Sequence, residues 1–94
     1  MDLVYDTARS ARNLKERGLP FELMEQFDFD TALVARDIHR DYGEIRYVAI
    51  GYIAHRLHVA VFMEIPTGVR IISLRKANSR EVRAYEQKQT AVDR

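Results

Sequence analysis

The strongest constraint in this chain is the run Leu57-His58-Val59-Ala60-Val61-Phe62-Met63-Glu64-Ile65, where Leu57, Val59, Val61, Met63 and Ile65 share one face at a period of two. Turn signals bracket it, Ala54-His55 before and Pro66-Thr67-Gly68 after, and each leads into a further β-rich run. Ile45 to Ile53 is apolar on both faces in its middle, which fits a central strand, and Val69 to Arg75 reads as the last strand. Parallel neighbours would need crossovers of about a dozen residues, so two tight turns impose an antiparallel meander.

The remaining segments have to pack on that frame. Residues 2–5 alternate into a short extended start, and Asp6 or Thr7 supplies an N-cap for a helix through about Glu16, with Ala8, Ala11 and Leu14 as its narrow apolar stripe. Gly18 is placed to end it with a positive φ. Pro20 suits the first turn of a second helix, whose apolar face would be Phe21, Leu23, Met24 and Phe27. Thr31 to Ala35 reads as a short strand and Arg36 to Gly43 as a charged loop. Asn78 with Glu81 three residues on has capping-box spacing and predicts a closing helix to about Gln89, anchored by Val82 and Tyr85. The expected architecture is α+β in one domain spanning residues 1–94: two N-terminal helices, an antiparallel sheet of three to four strands and a C-terminal helix, with the helices on one face of the sheet.

Composition removes several kinds of chemistry. There is no cysteine, hence no disulfide, thiolate zinc site or cysteine nucleophile. The three histidines, His39, His55 and His58, lack metal-ligand spacing, and His55 and His58 point to opposite faces at strand periodicity. No metal or other cofactor is expected. No run reaches the ~18 apolar residues of a membrane helix, and the first residues have no signal-peptide plan, so the expected location is cytoplasmic. Ser73 lies within a strand and lacks the Gly-x-Ser-x-Gly elbow that exposes a nucleophile.

The charge pattern is more informative than the net charge of +1. Arg9, Arg12, Lys15 and Arg17 lie at the front and Arg70, Arg75, Lys76, Arg80, Arg83 and Lys88 at the back, around an acidic middle of Glu22, Glu25, Asp28 and Asp30. Arg75, Lys76, Arg80 and Arg83 gather where the last strand meets a helix N-terminus, a natural place for phosphate. Scattered surface charge is the plainer reading of the same residues. Glu44-x-Arg46 projects from one side of a strand start and can form a pair or position a phosphate. Tyr47, Tyr52 and Tyr85 read as half-buried aromatics that can alternatively stack an unpaired base.

In order along the chain, Val4-Tyr5-Asp6, Asn13-Leu14-Lys15-x-x-Gly18 with Phe21, Arg46-Tyr47-x-x-Ile50-Gly51, Val59-x-Val61-Phe62, and Arg70-Ile71-Ile72-Ser73-x-Arg75-x-Ala77 with Glu81 and Tyr85-Glu86 resemble the BrnT toxins of BrnT/BrnA type II toxin–antitoxin modules. Each motif alone is weak; the ordered set spans nearly the whole chain. The resemblance implies a RelE-like ribonuclease fold and a toxin that cleaves RNA without metal, through attack of the 2′-hydroxyl on the neighbouring phosphate. It further implies neutralisation by a BrnA-like DNA-binding antitoxin in a two-toxin, two-antitoxin complex, with DNA reached only through the antitoxin. Under this reading Arg75 stabilises the transition state, supported by Arg46 and Lys76. Glu44, His39 and Tyr85 are the acid–base groups, and Arg80, Lys15, Arg9 and His39 bind RNA phosphate. The chain departs from the family pattern at Arg17, often His, and at Val82, usually Arg. A toxin-like module that has lost cleavage and acts as co-repressor or scaffold is the alternative, whereas a DNA-binding role for this chain alone lacks a helix-turn-helix pattern.

Overall fold

The two tight turns do generate a meander. In the computed structural model, which describes residues 1–38 and 43–92, the chain runs β1 (Asp2–Tyr5), α1 (Thr7–Arg17), a 3₁₀ helix (Phe21–Gln26), β2 (Leu33–Arg36), β3 (Tyr47–Ile53), β4 (Arg56–Ile65), β5 (Gly68–Lys76) and α2 (Ser79–Val92). Ala54-His55 and Pro66-Thr67 are the two-residue turns of the β3–β4 and β4–β5 hairpins. Ala54 adopts φ 54° there, a left-handed conformation that costs a residue with a Cβ about 1 kcal/mol.

The sheet has five strands in the order β1-β5-β4-β3-β2, not the three or four expected. The extra strand is the N-terminal one. Residues 2–5 pair with β5 in parallel, with Asp2 opposite Gly68 and Tyr5 opposite Ile71, so the sheet is not wholly antiparallel. This pairing needs a glycine at its start, because a Cβ on residue 68 would fall onto the backbone of Asp2. Gly68, read from sequence as part of a turn, is the first residue of β5.

Helical elements cover both faces, which corrects the expectation of a single covered face. On one face Phe21, Met24 and Phe27 pack with Ala49, Ile53, Ala60, Phe62, Val69, Ile71 and Leu74. The three-residue spacing of Phe21, Met24 and Phe27 matches the three residues per turn of a 3₁₀ helix, and this is why the second helix is not α-helical. The chain then leaves the helix to dock on β3, with Phe27 bridging Ile53 and the Asp28 amide donating to Tyr52 O at 2.9 Å. Gly51 makes room for this, since a Cβ there would lie 2.7 Å from the Phe27 ring. The opposite face carries a smaller cluster of Leu57, Val59, Ala77 and Tyr85 under α2, with Val82 packed against it.

The expected stripe of α1 is inverted. Ala8, Ala11 and Leu14 are exposed, Leu14 by 51%, and the buried residues are Ser10 and Asn13. Burial of polar side chains requires partners. The Asn13 Nδ2 group donates to Leu19 O at 2.6 Å and Leu74 O at 2.9 Å, and Ser10 Oγ accepts from the Phe21 amide at 2.8 Å. Asp6 caps α1 by accepting from the Ala8 and Arg9 amides, and Gly18 ends it at φ 71°.

Two measurements test this account. Asn13→Leu removes the Asn13 donor from both buried carbonyls, leaving Leu74 O only the long 3.5 Å contact from Arg17 Nη1, and should lower the unfolding free energy by about 2–4 kcal/mol in urea titrations. Gly68→Ala should release β1 selectively, raising amide exchange at residues 3–5 far more than in the β3–β4 hairpin.

Candidate functional site

The predicted cationic junction is built differently from a ligand site. The Arg75 guanidinium grips Glu81 with both ends of its fork, Nη1 to Oε1 and Nη2 to Oε2, each at 2.8 Å. Glu81 Oε1 also accepts from the Asn78 amide at 2.9 Å, while the Glu81 amide donates to Asn78 Oδ1 at 2.9 Å, completing a capping box. The Arg75 hydrogen bonds above all, aided by the Asn78 amide, hold the Glu81 carboxyl at about 2, and the same pair raises Arg75 above its ordinary value. The helix start expected to receive phosphate is thus filled by the chain's own carboxylate. Lys76 pairs with His58 and faces away from Arg75, which is opposite Val59. Arg80 and Lys15 are exposed, on α2 and α1 respectively.

Tyr85 is an anchor. Its hydroxyl donates to Thr31 O at 2.8 Å and its ring meets Tyr52 edge-on at 5.7 Å. His39 lies outside the described residues. His58 is buried, its Nδ1 lies 2.8 Å from Arg56 O, and burial pushes its pKa below the ordinary value. Among the described residues no group of three His, Asp or Glu side chains is placed to hold a metal ion.

Three of the predicted residues do come together elsewhere. Arg9, Glu44 and Arg46 line a cavity of about 330 Å³ at the other end of the sheet, with Val4, Asp6, Met63, Arg70 and Ile72 among the remaining wall residues. β1 supplies Val4, the first turn of α1 supplies Arg9, and the segment entering β3 supplies Glu44 and Arg46. Arg46 Nε and Nη2 both donate to Glu44 Oε1, at 2.9 and 2.8 Å. These side chains are partly shielded, at 20% and 34% exposure for Arg46 and Glu44. Arg9 and Arg70 are exposed and, among the described residues, their guanidinium groups enter no hydrogen bond or ion pair. Arg70 is opposite Met63 and Arg75 opposite Val59, four residues further along β4, about 13 Å. The expected catalytic set of Arg75, Arg46, Glu44 and Tyr85 is therefore divided between two ends of the sheet.

Arg70 was not among the predicted site residues. Strict alternation over Val69 to Arg75 would send Arg70 and Arg75 to opposite faces. The β4–β5 ladder slips by one residue between Val61 and Phe62, leaving Ile72 as the extra residue of a bulge, and both arginines emerge on one face. The doubled Ile71-Ile72 in Val-Arg-Ile-Ile-Ser-Leu-Arg is the sequence signal for that slip.

The Arg75–Glu81 pair has a pH signature. Glu81 titrates below an ordinary carboxylate, so its contribution to stability is complete above about pH 4.5 and is lost as pH falls toward 2. With the pair partly in solvent, Glu81→Gln should cost on the order of 1–2 kcal/mol at pH 6–7. Urea midpoints of the two proteins should converge below pH 3; a gap that persists there would mean the charge is not the cause.

Arg17 and Val82 lie outside the cavity lining: Arg17 Nη1 donates to Leu74 O at 3.5 Å and Val82 packs in the α2 cluster. Searches among curated proteins and among solved structures return no match. The family model described as "Ribonuclease toxin, BrnT, of type II toxin-antitoxin system" matches residues 5–81, a span that runs from the last residue of β1 to the Glu81 cap. The chain belongs to the BrnT family of ribonuclease toxins of type II toxin–antitoxin systems.

Proposed function

We propose that this chain is a metal-independent endoribonuclease whose reactive centre is the Arg9–Glu44–Arg46 cavity. The observation that carries this reading is the shared-oxygen Arg46–Glu44 pair beside Arg9 in a family of ribonuclease toxins. Glu44 Oε1 is bound twice by Arg46, and its other oxygen is the proton acceptor for the RNA 2′-hydroxyl. The 2′-oxygen forms its bond to phosphorus while the P–O5′ bond breaks, the leaving 5′-oxygen takes a proton from water, and a 2′,3′-cyclic phosphate remains. Arg46 and Arg9 offset the negative charge that accumulates on the phosphorane oxygens.

The other cations have a different part in this proposal. Lys76, Arg80 and Lys15 attract the RNA backbone at long range, and Arg75 secures the start of α2 rather than the transition state. Tyr85 likewise acts through structure. We assign the fold as a RelE-like variant in which a 3₁₀ helix replaces the second N-terminal helix.

Family membership brings an antitoxin partner. We assign it as a BrnA-like DNA-binding protein in a two-toxin, two-antitoxin assembly that reaches the operator only through the antitoxin. An apolar groove of about 280 Å³ between α2 and the sheet, lined by Leu33, Ala35, Val48, Ile50 and Ala84, is an open sheet surface available to such a partner. No helix of the described residues is long and apolar enough to cross a membrane, and the proposed site of action is the cytoplasm, where RNA is.

Digestion of total RNA in EDTA tests the chemistry. The wild type should yield 2′,3′-cyclic phosphate ends, and Arg46→Ala should cleave about 10²–10³-fold more slowly. Equal rates would remove Arg46 from the mechanism, and cleavage abolished by EDTA would remove the metal-free route.

A further inference from the structure

The cavity's charges are unequally engaged. Two carboxylates and three guanidinium groups line it. Asp6 Oδ1 accepts from the Ala8 and Arg9 amides and Glu44 from Arg46, so both carboxylates have partners inside the fold. Arg9 and Arg70 lack such partners among the described residues. Two unpaired cations over a concave surface attract an oxyanion, and arginine's planar fork matches phosphate in particular.

Register places Arg70 well for that task. Arg70 is opposite Met63 and Val4, and continuing the β3–β4 register by one residue sets Arg46 on the other side of Met63. Two strand spacings separate the arginine backbones, about 10 Å, a gap that two long side chains leaning inward can close on one phosphate. Met63 and Val4 give the Arg70 stem an apolar bed while its head stays in water. Ile72, displaced by the bulge, forms part of the same wall.

We infer that Arg70 is the principal phosphate ligand of this cavity, holding the scissile RNA phosphodiester between its own guanidinium and that of Arg9, against the Arg46–Glu44 pair. The substrate identity rests on the ribonuclease reading; the phosphate site does not. The division of labour is then clear: Arg46 fixes the Glu44 carboxylate and shares with Arg9 the charge that develops on the phosphorane, while Arg70, with Arg9, holds the substrate phosphate.

Arginine-selective ¹⁵N NMR separates the two claims. Titration with inorganic phosphate, and with a ribonucleotide dimer made uncleavable by 2′-deoxy substitution, should shift the Nε–H signals of Arg70 and Arg9 and leave Arg75, held by Glu81, unmoved. Arg70→Ala should weaken the dimer by tenfold or more and slow RNA cleavage by at least a hundredfold, with Arg70→Lys recovering part of the binding through charge alone. Arg12→Ala removes the same charge from α1 outside the cavity and should alter neither. The Arg70 side chain makes no internal bond among the described residues, so its variants should keep the wild-type amide spectrum. Unchanged binding and cleavage in Arg70→Ala would overturn the inference. Arg70-dependent phosphate binding in a wild type that cleaves no RNA would uphold it and overturn the ribonuclease reading.

Discussion

The slipped register between β4 and β5 is the constraint on which both the core and the site depend. Val69 and Ile71 enter the larger core before the slip and Leu74 enters it after, an odd spacing that no regular strand can bury on one face. The bulge accommodates it at the cost of one unpaired residue, Ile72. On the reverse face the same slip brings Arg70 and Arg75 out together. Apolar burial on one side of the strand and cation placement on the other are thus two results of one local irregularity.

The two arginines then differ because of what each meets. Arg75 finds a carboxylate presented by the first turn of α2, and the fork geometry lets both nitrogens bond at 2.8 Å. Opening that pair to bind phosphate would expose a carboxylate to the incoming anion, so the arrangement works against its own use as a phosphate site. Arg70 meets Met63 and Val4, which support its stem and leave its charge unmatched. Position along one strand decides whether a guanidinium joins the fold or remains available to a ligand.

Much of this was legible in the sequence, for identifiable reasons. The β3–β5 meander, the Asp6 and Asn78–Glu81 caps and the Gly18 stop follow from short-range chemistry and are found nearly where expected. The Glu44–Arg46 pair was likewise visible at its two-residue spacing. What escaped depends on partners distant in the chain. Ala8, Ala11 and Leu14 looked like a buried stripe, yet α1 attaches through Asn13 to a carbonyl 61 residues away. β1 has no turn to announce its pairing, and the three-residue spacing of the Phe21 segment fits a loose α-helix as well as a 3₁₀ helix. The charge cluster at the β5–α2 junction was real in sequence, but the capping glutamate that engages Arg75 was read as a helix signal and not as an ion-pair partner.

The cavity's integrity follows from this long-range architecture. Its walls come from β1, the start of α1, the approach to β3, β4 and β5, so it exists only while β1 stays paired. β1 is four residues long and lies at the sheet edge, the part of such a fold that opens most readily. Two features oppose its release: Gly68, which lets the strands approach, and Asn13, which ties α1 to Leu74 O and so keeps Asp6 and Arg9 near β5. Neither contacts the cavity. Both nonetheless set the fraction of time in which Arg9 and Arg70 face the same space, so a substitution at either position should reduce phosphate affinity in proportion to the population in which β1 has come away.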